Sequence, residues 1–208
     1  MTYNKDQLLT IVPFITTPPE WFILGGPSDG NEAQCAKRVW PSLEIIAIEP
    51  LLSNVEWQYN NAFPSDAVMV TAAIGKKSGP LNLYINSDPK NGHRCSSITV
   101  EAGEDGRAFV QTEVTTLDKL DDVYGPFARS LLWLDIEGAE YDALLGAVGL
   151  FEREKIDYVN VEVMSRNQNT ADNVHKFLTD RGFKLTHTWN VHYELQKFHH
   201  CDKFYARK

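Results

Sequence analysis

The sequence is poor in cysteine. It holds three in 208 residues, Cys35, Cys95 and Cys201, widely separated and with no CxxC spacing. A disulfide framework and a zinc finger both need paired or clustered cysteines, so neither is expected, and free thiols in a reducing cytoplasm are the plain expectation. Long apolar runs are also missing: none approaches the ~20 residues that span a bilayer. The opening segment, MTYNKDQLLTIVPFITTPPE, has one lysine, an acidic residue beside it and no small-residue cleavage site, so no secretory leader is expected. Basic residues are outnumbered, with 20 Lys and Arg against 28 Asp and Glu, a formal net charge of -8. A nucleic-acid binder carries a basic face, so neither nucleic acid nor a membrane is expected as a partner. Internal repeats and low-complexity tracts are absent as well.

What is present is an average globular composition, 43% hydrophobic and 23% charged, in a chain long enough for one domain with a sizeable core. Residues 1–20 read as a lead-in that ends at the tandem prolines of TTPPE, and 21–208 as a single domain. WFILGG (21–26), LEIIAIEP (43–50) and AVMVTAAIG (67–75) are short apolar strands. Between them, NEAQCAKRVW (31–40) and LLSNVEWQYNNAF (51–63) have helical patterning. PLNLYIN (80–86) and FVQTEVTTL (109–117) alternate as half-exposed strands around a polar loop, 86–108. DKLDDVYG is a short helix, SLLWLDIEG (130–138) a fourth core strand, AEYDALLGAVGLF (139–151) a helix, and DYVNVEVM (157–164) a fifth core strand. NTADNVHKFLTDRGF is a helix capped by Gly182, and two closing strands run antiparallel. Near-continuous apolar strands alternating with helices indicate a parallel sheet covered on both faces, an α/β fold.

Ligands of such sheets bind outside the carboxyl ends of the strands, and four features fall there. GGPSDG (25–30) joins the first strand to the first helix, with glycines that let a ligand approach the backbone and free helix N–H groups beyond them; an ordinary tight turn needs the same residues. Glu49 closes the second strand before Pro50. A carboxylate there can accept two hydrogen bonds from a ribose, and equally it can be a surface glutamate. The glycine loop is neither GxGxxG nor GxxxxGK[ST], so a nucleoside without a phosphate chain, such as S-adenosylmethionine, fits better than a nucleotide. Asp135 ends the fourth strand, and Glu137 and Gly138 are expected to open the next helix. These carboxylates can position a hydroxyl and take its proton, or hold a divalent cation, or, for Glu137, simply favour the positive helix end. Glu162, near the tip of the fifth strand, can neighbour Asp135 at a Mg²⁺ or pair with Arg166 or a lysine; pairing is preferred, and no residue is assigned as a metal ligand. The pair His199–His200 beside Cys201 is not expected to form a metal site, because adjacent strand side chains point to opposite faces.

The order of these motifs resembles the FkbM-type S-adenosylmethionine-dependent methyltransferases over residues 21–186. TTLDKL followed by LLWLDIEGAEYDALLGA is the most specific part. The resemblance implies a class I, Rossmann-like fold: a mostly parallel seven-stranded sheet with helices on both faces and an antiparallel last strand. It implies methyl transfer to a hydroxyl of a sugar or other small metabolite, with S-adenosylmethionine as cofactor, Mg²⁺ as a lesser possibility, and a small-molecule or glycan acceptor as partner. By position, Gly26, Ser28, Asp29 and Gly30 line the methionine part of the cofactor, Glu49 with Pro50 holds the ribose, Ala73 and Ile74 border the adenine, and Asp135 and Glu137 face the transfer site. The 86–108 loop is expected to cover the site and to bring His93, a base near neutral pH, or merely a solvated histidine. The chain departs from the family pattern at Leu24 and Trp133, and those departures favour the alternative, a catalytically silent binding or scaffold protein of the same fold.

Overall fold

The computed structural model describes residues 7–27, 30–61, 63–84, 109–164, 168–194 and 197–208, without the side chains of 168–170, 193–194 and 197–199. Its strands and helices run in the order β1 (Trp21–Gly25), α1 (Asn31–Val39), β2 (Glu44–Ile48), α2 (Leu52–Asn61), β3 (Val68–Val70), β4 (Ala73–Ile74), β5 (Gly79–Tyr84), β6 (Phe109–Thr115), α3 (Leu117–Tyr124), β7 (Ser130–Leu134), α4 (Glu140–Leu145), α5 (Val148–Glu152), β8 (Ile156–Met164), α6 (Gln168–Thr179), β9 (Phe183–Glu194) and β10 (Lys197–Arg207). Seven strands form one sheet in the order β3-β2-β1-β7-β8-β10-β9. Pairings from β3 through β8 are parallel, and β10 runs antiparallel to both β8 and β9. This is the expected Rossmann-like arrangement with its reversed last strand. Among the described residues, no helix is long and apolar enough to cross a membrane.

Strand side chains alternate between faces, and here each face has its own core. Ile23, Ile46, Leu132, Leu134, Val159 and Val161 are buried with residues of α3 to α6. Phe22, Leu24, Ile45, Ala47, Leu131, Trp133 and Tyr158 are buried with α1 on the other face. Burial on both faces is why these strands read as unbroken apolar runs. Leu24 and Trp133 are 1% and 2% exposed; Trp133 meets Phe22 edge-on at 6.3 Å and Trp189 at 5.9 Å. Both are core residues.

The structure redraws four parts of the expected element map. The 67–75 strand is two: β3 stays in the main sheet, while β4 joins β5 and β6 in a separate three-stranded sheet. The 139–151 helix breaks at Gly146, where a side chain would stand 2.2 Å from the Gly75 carbonyl oxygen; α5 then restarts under a new cap, Asp118, whose carboxylate accepts from the Gly149 and Leu150 amides at 2.9 and 2.7 Å. The aspartate of the TTLDKL motif is thus a helix cap. Residues 7–14 form two short 3-10 turns, and Leu8 and Ile11, both fully buried, pack in the α1-side core. Finally, Glu137 and Gly138 do not begin a helix; α4 starts at Glu140.

Candidate active site

The carboxyl ends of β2, β1, β7 and β8 lie side by side, which carries the residues that follow them to one edge of the sheet. Hydrogen bonds tie those segments together. Gly26 donates to the Ile48 carbonyl at 3.1 Å, Asp135 to the Gly25 carbonyl at 3.2 Å, and Glu49 to the Val70 carbonyl at 3.0 Å. Gly26 has φ +76 and approaches the Asp135 carbonyl so closely that a methyl group there would stand 1.9 Å from the oxygen. Glycine is required at this position on both counts. Gly30, also left-handed at φ 72, precedes the first turn of α1. A side chain at Gly25 would meet the Ile74 methyl at 2.8 Å, so the buried pair Ala73 and Ile74 backs the same edge. Pro50 follows, its carbonyl accepting from the Thr112 hydroxyl at 3.5 Å. Ser28, Asp29 and His93, and with them Arg94, Arg166 and the 86–108 loop, lie outside the described residues.

Glu49 is 4% exposed. Its Oε1 accepts from the Leu51 amide at 2.9 Å and from Asn54 Nδ2 at 3.2 Å. Burial nonetheless pushes its pKa up to about 7, with those two hydrogen bonds pulling the other way. Burying a charge is costly unless partners replace the lost water, and two bonds on one oxygen replace only part of it.

The turn after β7 is held by a residue that the sequence reading left without a role. Glu140 Oε1 accepts from the Ile136 amide at 3.2 Å and the Gly138 amide at 3.0 Å. Inside that clamp Glu137 takes φ 57, a left-handed conformation rare for a side-chain-bearing residue, and Gly138 takes φ 104. Burial raises Glu140 to about 7, against the pull of the Gly138 and Ile136 amides. Unfolded, the same carboxyl titrates near ~4.3. Between about pH 5 and pH 7 the folded chain therefore holds a proton that the unfolded chain has lost, and stability falls as pH rises through that window, by at most about 3 kcal/mol from this residue. Glu140→Gln, neutral throughout, is expected to flatten that part of the fall, measured as urea midpoints at pH 5 and pH 8.

Asp135, Glu137 and Glu162 bring carboxylate oxygens within 4.8 Å of one another. Burial of the carboxyl, then repulsion from Glu162, Asp202, Glu137 and Glu32, raises the Asp135 pKa well above the usual range. The side chain is exposed to solvent along the edge, so of those causes the crowding of like charges is the more durable. Glu162 is pushed up to about 8 by burial and by Glu137, Asp202 and Glu140, while a hydrogen bond with Asp135 pulls it down. The expected pairing of Glu162 with Arg166 falls outside the described residues; among those described, His200 Nε2 lies 3.9 Å from Glu162 Oε1. Glu162 Oε2 is buried without a hydrogen-bond partner among the described residues. Three oxygens this close could hold a cation, but the similar solved structures described below give the magnesium expectation no support.

Sequence reading also missed the shell behind Glu162. Asp202 faces Glu162 across the β8–β10 pairing and is 4% exposed. Its oxygens accept from Asn160 Nδ2 at 3.1 Å and Asn190 Nδ2 at 2.9 Å, and Trp189 Nε1 donates to Asn160 at 3.2 Å. The available signal was Asn160, a fully buried amide within an apolar strand, since a buried polar side chain in such a run implies partners.

Residues 25–185 match the family described as the methyltransferase FkbM domain. No curated protein matches the chain. Among solved structures, magnesium protoporphyrin IX methyltransferase from Synechocystis PCC 6803 with bound S-adenosylhomocysteine is 8% identical, with TM-score 0.54 over 98% of this chain and 82% of that one. Precorrin-6y C5,15-methyltransferase from Geobacter metallireducens GS-15 is 12% identical, with TM-score 0.53 over 100% and 90%. A Streptococcus pneumoniae protein assigned as a tRNA (m1A22) methyltransferase, in complex with S-adenosyl-L-methionine, is 10% identical, with TM-score 0.51 over 97% and 72%. At these identities the likeness is one of fold.

Proposed function

The chain belongs to the FkbM methyltransferase family, and on that footing we propose that it moves the methyl group of S-adenosylmethionine to a hydroxyl of a sugar or another small metabolite. The observation that carries this reading is the meeting, along one sheet edge, of the Gly25–Gly26 turn, the buried Glu49 and the Asp135–Glu162 carboxyls. The residues present suit such a ligand. Glycine at 25 and 26 lets the end of β1 close on Ile74 and Asp135 and so brings the donor turn against the carboxyls, Glu49 offers acceptors for two ribose hydroxyls, and an acidic cluster suits a cationic sulfonium and repels a phosphate chain. When bound, the cofactor supplies an electrophilic methyl group. The chain's own residues do the rest. Glu49 and the glycine turn fix the donor's orientation, and the Asp135–Glu162 pair accepts the hydroxyl proton as the new C–O bond forms.

The scaffold alternative drew on Leu24 and Trp133. Both are buried in the sheet core, so neither takes a polar group away from the edge. The small acceptor, the absence of nucleic-acid and membrane partners, and a cytoplasmic location for the free, buried thiols Cys35 and Cys201 are parts of the same proposal. The test is calorimetry with S-adenosylmethionine, then transfer of a labelled methyl group to a panel of sugars and hydroxylated metabolites. Asp135→Asn is expected to lower transfer at least ~100-fold at saturating donor, a loss that weaker donor binding does not explain. Folded protein that does not bind the donor would end this reading.

A further inference from the structure

The acids at the transfer edge pose a difficulty. A general base must be ionised to take a proton, yet Asp135, Glu137 and Glu162 crowd their oxygens into 4.8 Å. Asp202 stands opposite Glu162 on β10, Glu140 approaches from α4 and Glu32 from α1. Among the described residues, the basic group paired with them is an imidazole: His200 on β10 lies 3.9 Å from Glu162 and stacks at 4.5 Å on His192 of β9. Asp202 accepts from the Asn160 and Asn190 amides, one on each oxygen, and those bonds favour its ionised form. That leaves Asp135 and Glu162, whose carboxylate oxygens lie within 4.8 Å of each other. Two carboxylates sharing one site cannot both ionise in the ordinary range, and one of them keeps a proton.

Resting on the cofactor reading above, we infer that Asp135 and Glu162 share one proton in the ligand-free protein and release it when a sulfonium binds beside them, so that the base exists only once the methyl donor is in place. A unit positive charge about 5 Å away, at an effective dielectric near 20, lowers a carboxyl pKa by about two. Glu162, raised to about 8 in the free protein, would then be ionised at neutral pH. The proton balance closes over a turnover. One proton leaves to solvent on donor binding, past His200 and the exposed His192. During transfer the acceptor O–H breaks, its oxygen bonds the methyl carbon, the S–CH₃ electron pair returns to sulfur, and the hydroxyl proton refills the carboxyl pair. The thioether product is neutral, so the pair keeps that proton. The site is disarmed again, which guards against a spent cofactor holding an ionised base.

The test needs no acceptor. The heat of binding S-adenosylmethionine and of S-adenosylhomocysteine is measured in buffers of different ionisation enthalpy, which gives the protons released by each. Their common amino acid and nucleoside parts cancel in the difference. At pH 7 the donor is expected to release about one proton more than the thioether, and the difference should vanish above about pH 10, where the pair is already ionised. The affinity ratio of donor to thioether should rise with pH, up to about tenfold per pH unit between about 6 and 8. Glu162→Gln should abolish the difference while still binding the thioether. If that variant does not fold, the wild-type pH series decides alone. Equal proton counts for both ligands at pH 7 would overturn this inference and leave the cofactor reading standing, whereas failure of both ligands to bind would remove the cofactor reading and this inference with it.

Discussion

Glu49→Ala is expected to weaken binding of S-adenosylmethionine about 100-fold or more. Glu49 sits at the tip of β2, 4% exposed, already oriented by the Leu51 amide and Asn54 through one oxygen. A carboxylate fixed this way meets ribose hydroxyls without losing further rotamer entropy. A hydrogen bond to a charged acceptor is worth about 1.5–3 kcal/mol, so two lost bonds cost about 3 kcal/mol, a factor of ~150 in Kd. Alanine also leaves the Leu51 amide without its acceptor. Glu49→Gln keeps an acceptor for that amide but turns an NH₂ toward the ribose, where it can donate to a hydroxyl oxygen, and is expected to cost only about tenfold. Charge adds a signature. Glu49 is raised to about 7 by burial, and ribose hydroxyls favour the ionised form, so affinity should rise as pH passes from about 6 to 8. S-adenosylhomocysteine is the proper probe, since it carries no sulfonium to engage the Asp135–Glu162 pair. A wild-type affinity that is flat over that range, or an alanine variant that binds normally, would remove Glu49 from the cofactor site.

The main sheet was legible because burial on both faces forces apolar residues at every strand position: WFIL, EIIAI and SLLWL could hardly be anything else. The errors have physical causes as well. In AVMVTAAIG the apolar run continues across Thr71 and Ala72, but the chain changes sheets there, and which sheet accepts a strand is a tertiary matter. The α4–α5 break depends on the approach of Gly146 to Gly75, a contact between residues 71 apart in sequence. Leu8 and Ile11, with Phe14 beyond them, recur every three residues, the 3-10 period; that pattern was present in the lead-in, yet its partner on α1 was not visible. At the site, the glycine turn, Glu49 and Asp135 could be placed because each ends a recognisable strand. The clamp of Glu140 on the Ile136 and Gly138 amides could not, since it depends on a left-handed turn at Glu137 that no local propensity announces. Glu162 was readable as a neighbour of Asp135, but the approach of His200 to it depends on the β8–β10 pairing, which neither strand announces alone.

The largest loss of stability is expected from Gly26→Ala. Alanine pays about 1–2 kcal/mol to adopt a left-handed φ such as the +76 found here. The methyl group would also lie 1.9 Å from the Asp135 carbonyl oxygen and 3.0 Å from its carbon. Neither partner is a flexible side chain. β1 and β7 are paired in register from Trp21↔Ser130 to Gly25↔Leu134, and the Asp135 amide is bonded to Gly25. Relief requires the two central strands to part at their ends by more than 1 Å, in a close-packed core that resists such shifts. A total near 4 kcal/mol is expected, a large share of a typical domain's stability. Gly182→Ala is the control. Its φ is +84, but nothing lies within 4 Å of the added methyl group, so it should cost only the backbone term, about 1 kcal/mol. Urea unfolding of the two variants separates conformation from contact. Equal losses would mean that the glycine turn and the end of β7 do not meet as described, and the proposed alignment of the glycine turn with Asp135 and Glu162 would lose its basis. A large loss at Gly26 alone, with donor affinity falling further than the stability change explains, would tie the stability of the β1–β7 junction to the geometry of methyl transfer.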